Sequence, residues 1–177
     1  MLAPERLSRF LTYVLRHKPR DYPLAIDRQG FAAWQEVVDL VQQRFYDANE
    51  QQIRDLINGS EKKRFELRGD RVRATYGHSF PLELNEPTAE PPAQLFFSAA
   101  RDIAQGILRN GLKPRDRQYV HLSRTAEEAA SIARRLDPNP AVLVIDAQAA
   151  CDAGVRLFEA GPLFLAEGIP ARYLSLR

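Results

Sequence analysis

Apolar residues recur at helical spacing in three segments near the start of the chain. The first segment begins at Pro4 and should end near Lys18, because Pro19 disfavours helix at the residue before it. The third should begin after the capping residue Asn49 and end at Gly59. The apolar positions of the three segments are Leu7, Phe10, Leu11, Val14 and Leu15, then Trp34, Val37, Val38 and Val41, then Ile53, Leu56 and Ile57. The pattern predicts three amphipathic helices.

The period changes from helical to alternating after the third helix. Phe65 and Leu67 alternate with charged residues, the pair Gly69-Asp70 supplies a turn, and an alternating segment 72–74 follows. Helices followed by a basic hairpin predict a winged helix. That arrangement serves nucleic-acid binding in many proteins and protein docking in others, so it does not decide function.

Proline and glutamate dominate residues 81–92, a composition that is typical of a semi-extended linker. This linker predicts a boundary between two lobes, which comprise residues 1–80 and 93–177.

Beyond the linker, short apolar runs alternate with helical segments. Apolar positions over 103–108 predict a helix that Gly111 should terminate. A capping box of Thr125 and Glu128 should start another helix that runs through Arg135. Strands are predicted over 95–97, 119–122, 142–145, 155–158, 163–166 and 173–176. The predicted fold class is α+β, with a winged-helix lobe followed by a strand-rich mixed lobe.

The composition is that of a globular protein. Of the 177 residues, 45% are hydrophobic and 27% charged, which excludes disorder for most of the chain. No stretch approaches the roughly 20 apolar residues of a membrane span, and residues 1–10 lack the apolar core of a signal peptide. The single Cys151 fits a reducing compartment, and three scattered histidines with one cysteine cannot form a closed zinc site. We expect a cytoplasmic monomer that needs neither membrane nor metal.

The basic side chains are mostly arginine. Of 25 basic residues 21 are Arg, whose planar guanidinium binds phosphate in a bidentate manner, although the net charge is only +2. An anionic partner would account for this bias. Taken alone, clusters of charge are more commonly solvated surface, and that interpretation stays open. The two clusters are Lys62, Lys63, Arg64, Arg68, Arg71 and Arg73, then Arg109, Lys113, Arg115, Arg117 and Arg124.

Signatures of the common nucleotide and hydrolase sites are missing from the sequence. It contains no GxxxxGK(S/T), GxGxxG, HExxH or GxSxG motif. The remaining candidates are Arg16 and His17 at the end of the first helix, Arg64 in the hairpin, and Arg117 before a strand. Structural roles are also open for the first two, because Arg16 can be a cation at a helix C-terminus and His17 a polar cap.

Several segments occur in the order found in one enzyme family. Residues 7–19, LSRFLTYVLRHKP, resemble the N-terminal signature of the RNA 2′-phosphotransferases, NAD-dependent enzymes associated with removal of a splice-junction 2′-phosphate from tRNA. Later segments match that family in the same order across nearly the whole chain. They are Lys63-Arg64-Phe65, Gly77-His78-Ser79, Gly111-Leu112-Lys113-Pro114, Arg117 with Val120-His121-Leu122-Ser123, Val144-Ile145-Asp146-Ala147 and Ile169-Pro170.

The resemblance implies both an architecture and a reaction. The family has a winged-helix RNA lobe followed by a lobe of ADP-ribosyltransferase fold, with the active site between them. The RNA 2′-phosphate attacks the anomeric carbon of the nicotinamide riboside in NAD, which expels nicotinamide and leaves an ADP-ribosylated phosphate. The ribose 2″-hydroxyl then attacks that phosphate and releases 2′-OH RNA with ADP-ribose 1″,2″-cyclic phosphate. The implied partners are NAD and a tRNA-like RNA that carries a 2′-phosphate.

An Arg-His-Arg-Arg tetrad carries the chemistry of that family. Motif matching places this tetrad at Arg16, His17, Arg64 and Arg117. Fixed guanidinium groups can stabilise the extra negative charge of a phosphorane-like transition state, so the three arginines would form a phosphate clamp. His17 can orient the phosphate or transfer a proton, because imidazole titrates nearest to neutral pH.

The resemblance also implies that the second lobe holds NAD, with His121 and Ser123 on a strand at the cofactor cleft. Both have structural interpretations, and Ser123 in particular can cap the helix that follows. Where the family has His-Gly-Thr on the first strand of this lobe, the chain has Phe97-Ser98-Ala99, which would line the cofactor with fewer polar groups. Two alternatives follow: an RNA-binding relative with a catalytically weakened NAD lobe, and an ADP-ribosyltransferase that acts on terminal phosphates of nucleic acids.

Overall fold

The computed structural model of the chain describes residues 2–88 and 90–177 and contains two compact units, Met1–Leu84 and Asn85–Arg177. Helices and antiparallel strands occur in both units, which confirms the predicted mixture of the two. Met1, and Ala89 within the predicted linker 81–92, lie outside the described residues. Across the described ranges, no helix is both long and apolar enough to cross a membrane.

The first unit contains three α-helices among its described residues. They are α1 (Pro4–Thr12), α2 (Trp34–Arg44) and α3 (Glu50–Gly59). Asn49 caps α3, since its side chain accepts from the Gln52 N–H at 2.9 Å while the Gln52 side chain accepts from the Asn49 N–H at 3.0 Å. This reciprocal cap satisfies two backbone donors at the start of the helix, and it explains why the helix begins where the sequence predicts.

The predicted hairpin forms, and a third short strand joins it. The strands are β1 (Ala32–Ala33), β2 (Phe65–Arg68) and β3 (Arg71–Ala74). They form an antiparallel sheet in the order β1-β3-β2, in which Phe65 pairs with Ala74 and Leu67 with Val72. The buried hairpin residues share one apolar core with the inner faces of the three helices, which fixes the hairpin against them.

Two arginines of the hairpin surround one carboxylate, Glu66. Arg68 and Arg73 donate to its two oxygens at 2.8 and 2.7 Å. Burial of the Glu66 carboxylate opposes ionisation, but hydrogen bonds and charge from the two guanidinium groups outweigh it and lower the pKa of Glu66. Its stabilising effect is therefore present above the ordinary value of 4.5 and is lost as the pH falls through the lower pKa of the folded state.

Glu66→Gln is expected to lower the free energy of unfolding by about 1 kcal/mol at pH 7, and by progressively less as the pH falls from about 5 towards 2. Urea unfolding at a series of pH values measures the difference from the unmodified chain. Glu61, which is exposed in the segment just before the hairpin, provides a matched Glu→Gln control. A loss that is the same at every pH would contradict the role assigned to the ionised Glu66 carboxylate.

A six-stranded antiparallel sheet organises the second unit. Its strands are β4 (Gln94–Ala99), β5 (Val120–Ser123), β6 (Ala141–Asp146), β7 (Leu157–Ala160), β8 (Leu163–Ala166) and β9 (Leu174–Leu176). They lie in the order β7-β8-β5-β4-β6-β9, with helices α4 (Arg101–Asn110), α5 (Ala126–Ala133) and α6 (Ala147–Asp152). Leu95, Leu122 and Ile145, from three neighbouring strands, are fully buried in its core.

Caps at the helix starts follow the sequence closely. The Thr125 hydroxyl accepts from the Glu128 N–H at 3.2 Å, and the Glu128 carboxylate accepts from the Thr125 N–H at 3.3 Å, as predicted. The alternative role of Ser123 as the cap of this helix is therefore wrong. Asp146 caps α6 by accepting from the Ala149 N–H at 3.0 Å.

Several predicted boundaries differ from the structure by a residue or more, and two of these differences have a backbone cause. Helix α5 ends at Ala133, two residues before the predicted end at Arg135. The Ala133 carbonyl accepts hydrogen bonds from the N–H groups of residues 136 and 137, and these bonds close the helix. Strand β7 begins at Leu157, two residues late, because the Val155 N–H donates to the Ala150 carbonyl at 2.9 Å as α6 ends. Backbone bonding at the preceding helix, rather than β propensity, sets the start of this strand.

Candidate active site

Arg16 and His17 lie on an unusual turn at the end of α1. Residues Tyr13–His17 form a π-helical turn, in which the Lys18 N–H donates to the Tyr13 carbonyl at 2.9 Å. The helical path reaches His17 as predicted, but the apolar spacing does not reveal the wider winding. Residues 14 and 15 are buried and anchor the turn, while Arg16 and His17 are half-buried. Single π-helical turns of this kind are frequent at functional sites.

A distant segment, residues 76–79, packs against this pair. The guanidinium carbon of Arg16 lies 4.6 Å from the centroid of the Tyr76 ring, a cation–π distance. The Ser79 N–H donates to the Arg16 carbonyl at 2.8 Å, and Ser79 Oγ lies 2.6 Å from His17 Nδ1, within hydrogen-bond distance. Gly77, with φ 78°, allows the chain to turn between these contacts. The segment therefore constrains both residues.

Arg64 is held at the base of the hairpin. The Thr75 N–H donates to the Arg64 carbonyl at 3.0 Å, and the Thr75 hydroxyl donates to the Lys63 carbonyl at 2.8 Å. Lys63 has φ 38°, in the left-handed region that residues other than glycine seldom adopt. These contacts fix the backbone at and before Arg64, so the folded hairpin sets the point from which its half-buried side chain extends.

Arg16, His17 and Arg64 line one open depression of about 1070 Å³ in the first unit. The other charged residues that line it are Arg9, Glu5 and Asp55. Three guanidinium groups against two carboxylates leave an excess of positive charge even with His17 neutral. This arrangement suits a phosphate group, because each guanidinium can donate two parallel hydrogen bonds to phosphate oxygens.

Tyr13 also lines this depression and is tied to Asp21. Its hydroxyl donates to Asp21 Oδ2 at 2.6 Å. This hydrogen bond to the Asp21 carboxylate raises the pKa of the Tyr13 phenol. The phenol therefore stays neutral at physiological pH and adds no negative charge to the depression.

Arg117, the fourth predicted tetrad residue, belongs to the second unit. It is exposed in the loop between Leu112 and β5. Leu112 exchanges two backbone hydrogen bonds with Ile169, both 2.8 Å long, and Tyr119 is buried at the other end of the loop. The structure thus brings three predicted tetrad residues onto one depression and places the fourth on a loop with anchored ends.

The three residues of β4 that were predicted to line NAD do not share one face of the sheet. Side chains alternate along a strand, so Phe97 and Ala99 lie on the same face as the fully buried Leu95. Phe97 packs against the apolar core of the second unit. Its ring therefore packs in the core of this unit.

Ser98 lies on the opposite face, together with His121 and Ser123 of β5. The direct pairing of Phe96 with Ser123 in the antiparallel ladder sets this arrangement. Ser123 is buried and His121 half-buried. The Ser98 hydroxyl donates to the Ala141 carbonyl on β6 at 2.9 Å, so its proton is already used within the sheet.

Tyr76 and Ser79 are site residues to which the sequence analysis assigns no role, although Ser79 belongs to the family-like segment Gly77-His78-Ser79. Ser79 lies 62 positions from His17, and local spacing carries no information about a contact over that separation. The available signal is the short segment Gly77-His78-Ser79, in which the glycine marks a turn. That signal predicts a bend in the chain without predicting what the bend touches.

Known proteins resemble this chain over nearly its whole length. The model of the family described as RNA 2′-phosphotransferase, Tpt1 / KptA family, matches residues 3–162. A protein named probable RNA 2′-phosphotransferase from Pyrococcus horikoshii is 36% identical over 156 residues, which is 88% of each chain. Proteins of the same name from Thermococcus kodakarensis and Agrobacterium fabrum are also similar. The first is 35% identical over 178 residues, 99% of each chain, and the second 38% over 175 residues, 96% of this chain and 92% of its own. The chain belongs to the RNA 2′-phosphotransferase, Tpt1 / KptA family.

Proposed function

We propose that this chain is an NAD-dependent RNA 2′-phosphotransferase, which removes an internal 2′-phosphate from an RNA such as a spliced tRNA. The observation that carries the proposal is the placement of Arg16, His17 and Arg64 on one depression, in a chain of this family. An excess of guanidinium groups favours a phosphate dianion over a neutral ligand. The products would be 2′-OH RNA, nicotinamide and ADP-ribose 1″,2″-cyclic phosphate.

The proposed reaction consists of two displacements, the first at the anomeric carbon of the nicotinamide riboside and the second at phosphorus. In the first, a phosphate oxygen bonds to the anomeric carbon of the nicotinamide riboside while the bond to nicotinamide breaks, which gives an ADP-ribosylated phosphate. In the second, the ribose 2″-hydroxyl loses its proton as its oxygen bonds to phosphorus, the bond from phosphorus to the RNA 2′-oxygen breaks, and one proton is returned to that departing oxygen. NAD supplies the electrophilic carbon and the attacking hydroxyl.

The chain's own residues act on the phosphate. We assign Arg16 and Arg64 to hold its oxygens, with Arg117 as a third cation. The second displacement gathers additional negative charge on the phosphoryl oxygens, and guanidinium groups that are already in place stabilise it without reorganising. We assign His17 to orient the phosphate or to deliver the proton to the departing RNA oxygen.

We assign NAD binding to the second unit. His121 and Ser123 carry polar groups on one face of the sheet, which fits hydrogen bonding to a dinucleotide, whereas the Ser98 hydroxyl on the same face already donates to the Ala141 carbonyl. Phe97 and Ala99, on the other face, can offer only apolar surface and backbone groups. The fit therefore depends mainly on His121 and Ser123.

The architecture supports the same division of roles. Three helices followed by a hairpin, with β1 completing a three-stranded sheet, have the element order of a winged helix, which we assign to RNA binding. We assign an ADP-ribosyltransferase fold to the second unit. Since Cys151 is the sole cysteine, a reducing, cytoplasmic setting suits the chain, and we expect it to work as a monomer.

A second candidate function is RNA binding with weakened NAD chemistry. Two observations favour it: Phe97 packs into the core, and the Ser98 hydroxyl donates to the Ala141 carbonyl. Neither side chain then supplies the polar contact that a cofactor strand would offer. Each missing contact lowers affinity by about 0.5–1.5 kcal/mol, so this candidate predicts weak NAD binding rather than a loss of RNA binding.

The test is to incubate the full chain with an RNA oligonucleotide that bears one internal 2′-phosphate, with and without NAD. RNA species are resolved on a gel and small products by mass spectrometry. We expect NAD-dependent loss of the 2′-phosphate together with nicotinamide and ADP-ribose cyclic phosphate. The same oligonucleotide without the 2′-phosphate is the matched control and should give none of these products.

Other outcomes would replace the proposal. RNA that is bound but unchanged at every NAD concentration would favour the RNA-binding relative. Nicotinamide release without cyclic phosphate, with ADP-ribose retained on a terminal phosphate, would favour the ADP-ribosyltransferase that acts on nucleic-acid ends.

A further inference from the structure

We propose that Ser79 is a positioning residue for this reaction, which holds the His17 imidazole through Nδ1 so that Nε2 is the ring nitrogen that meets the RNA phosphate. The inference rests on the proposed function, because it concerns the orientation of a residue assigned to that reaction. It adds a residue outside the Arg-His-Arg-Arg tetrad and gives the Gly77-His78-Ser79 segment a role.

Ser79 contacts the tetrad pair twice. Its hydroxyl oxygen lies 2.6 Å from His17 Nδ1, and its backbone N–H donates to the Arg16 carbonyl at 2.8 Å. The second contact fixes the backbone of Ser79 relative to the π-helical turn, which keeps its hydroxyl within reach of the ring. These two contacts of Ser79 with Arg16 and His17 hold the segment 76–79 against the π-helical turn.

Ser79 does not line the phosphate-binding depression. His17 lines both that depression and a second one of about 760 Å³, whereas Ser79 lines only the second. The two nitrogens of an imidazole point in diverging directions. With Nδ1 directed to Ser79, we assign Nε2 to the phosphate beside Arg16 and Arg64.

This arrangement matters because an imidazole can rotate about its bond to the side-chain carbon. A protonated His17 has two N–H donors, so Nδ1–H can donate to Ser79 Oγ while Nε2–H donates to a phosphate oxygen. A contact that holds Nδ1 also fixes the direction of Nε2, in the same way that a third residue orients the general base in many active sites. Loss of the hydroxyl leaves the imidazole in place but lets it turn.

The experiment compares Ser79→Ala and Ser79→Thr in the full chain. Ser79 is exposed, so the additional methyl of threonine has room while the hydroxyl is retained. We expect Ser79→Ala to lower kcat about tenfold with little change in KM for RNA, and Ser79→Thr to restore most of it. The melting temperature should move by at most about 3 °C in either variant. Ser131→Ala, at an exposed serine of α5, is the matched control and should leave kcat unchanged.

The ring of His17 gives a second, activity-independent measurement. Nitrogen-15 NMR of the three histidines, with His17 assigned through His17→Gln, should show its Nδ1 signal shifted in Ser79→Ala and restored in Ser79→Thr. The His121 signals serve as the internal reference. Unchanged His17 signals together with unchanged kcat would overturn the inference.

The two proposals fail in different ways. If the unmodified chain releases no nicotinamide and no cyclic phosphate, the proposed function fails, and the NMR comparison still decides whether Ser79 constrains His17. If the unmodified chain is active and Ser79→Ala is equally active, the positioning role fails while the function stands. A parallel loss of kcat in Ser79→Ala and Ser79→Thr would also overturn it, because the hydroxyl would then be irrelevant.

Discussion

Arg64→Ala is expected to lower turnover by about 10²–10³-fold and to let an ADP-ribosylated RNA accumulate. The proposed second displacement builds negative charge on the phosphoryl oxygens, whereas the first disperses charge as nicotinamide leaves. A fixed cation at the phosphate therefore matters most in the second step. The folded hairpin holds the backbone of Arg64 through Thr75, so the side chain starts from a fixed position beside the depression that it lines.

A gel time course with end-labelled 2′-phosphorylated RNA measures this effect, because the intermediate carries an additional ADP-ribose and migrates more slowly. Arg64→Lys keeps a positive charge but loses the bidentate fork, so its turnover should fall between that of the unmodified chain and that of Arg64→Ala. The matched control is Arg68→Ala on the same hairpin. Arg68 is paired with Glu66 and does not line the depression, so its loss should leave turnover within about twofold.

Arg117→Ala should produce the same intermediate if this loop residue is the third phosphate ligand. Full activity in Arg64→Ala, with no intermediate at any time, would remove Arg64 from the reaction. If Arg64→Ala instead lost activity together with its cooperative unfolding, the residue would be structural. A normal melting curve therefore accompanies each rate.

Gly111→Ala is expected to lower the free energy of unfolding by about 3–4 kcal/mol, the largest stability effect of any glycine replacement proposed for this chain. Gly111 ends α4 with φ 85° and ψ 164°, a combination that is essentially restricted to glycine. A Cβ at this position would also lie 2.8 Å from the Ile169 carbonyl oxygen and 3.3 Å from the Ala171 nitrogen. Both neighbours are backbone atoms.

The clash is costly because the neighbouring backbone is hydrogen-bonded. Leu112 and Ile169 exchange N–H···O bonds of 2.8 Å, so moving the Ile169 carbonyl away from a new methyl group would break this pair. Strain at φ and loss of these hydrogen bonds then add. The same pair anchors one end of the loop that carries Arg117, so Gly111→Ala should also disturb that loop.

Two other glycines separate the cost of backbone strain from the cost of the steric contact. Gly154 has φ 94°, but no atom of the described residues lies within 4 Å of the place that a Cβ would take, so Gly154→Ala should show conformational strain alone, about 1–2 kcal/mol. Gly106, inside α4, has neither strain nor a close neighbour among the same residues, and Gly106→Ala should stabilise the helix by about 0.5–1 kcal/mol. Urea unfolding of the three variants tests the order. Equal losses in Gly111→Ala and Gly154→Ala would show that the contact with Ile169 costs nothing.

Signals that act over a few residues account for the parts of the fold that the sequence predicts. Each capping box spans three residues, and the helices at Asn49 and Thr125 begin where these boxes place them. The hairpin turn at Gly69-Asp70 likewise sets the register of its two strands. Boundaries that depend on a neighbouring element are less predictable, as β7 shows: its start is decided by a backbone bond that closes α6.

The candidate site divides in the same way. The order of motifs along the chain identifies the family and the arginines and histidine that can handle a phosphate, because residue type and spacing are properties of the sequence itself. It does not predict the π-helical turn that presents Arg16 and His17, since a single residue's change in winding leaves the apolar pattern intact.

By itself, then, the sequence determined the helices, the hairpin, the mixed fold class, the family and the chemical types available to the site. Long-range contacts bring Ser79 beside His17 from 62 positions away, and they place Phe97 in the core while Ser98 shares a face with His121. The physical reason is one of range. Caps and turns are settled by neighbouring groups, whereas these contacts depend on strand pairing and on the packing of a whole unit.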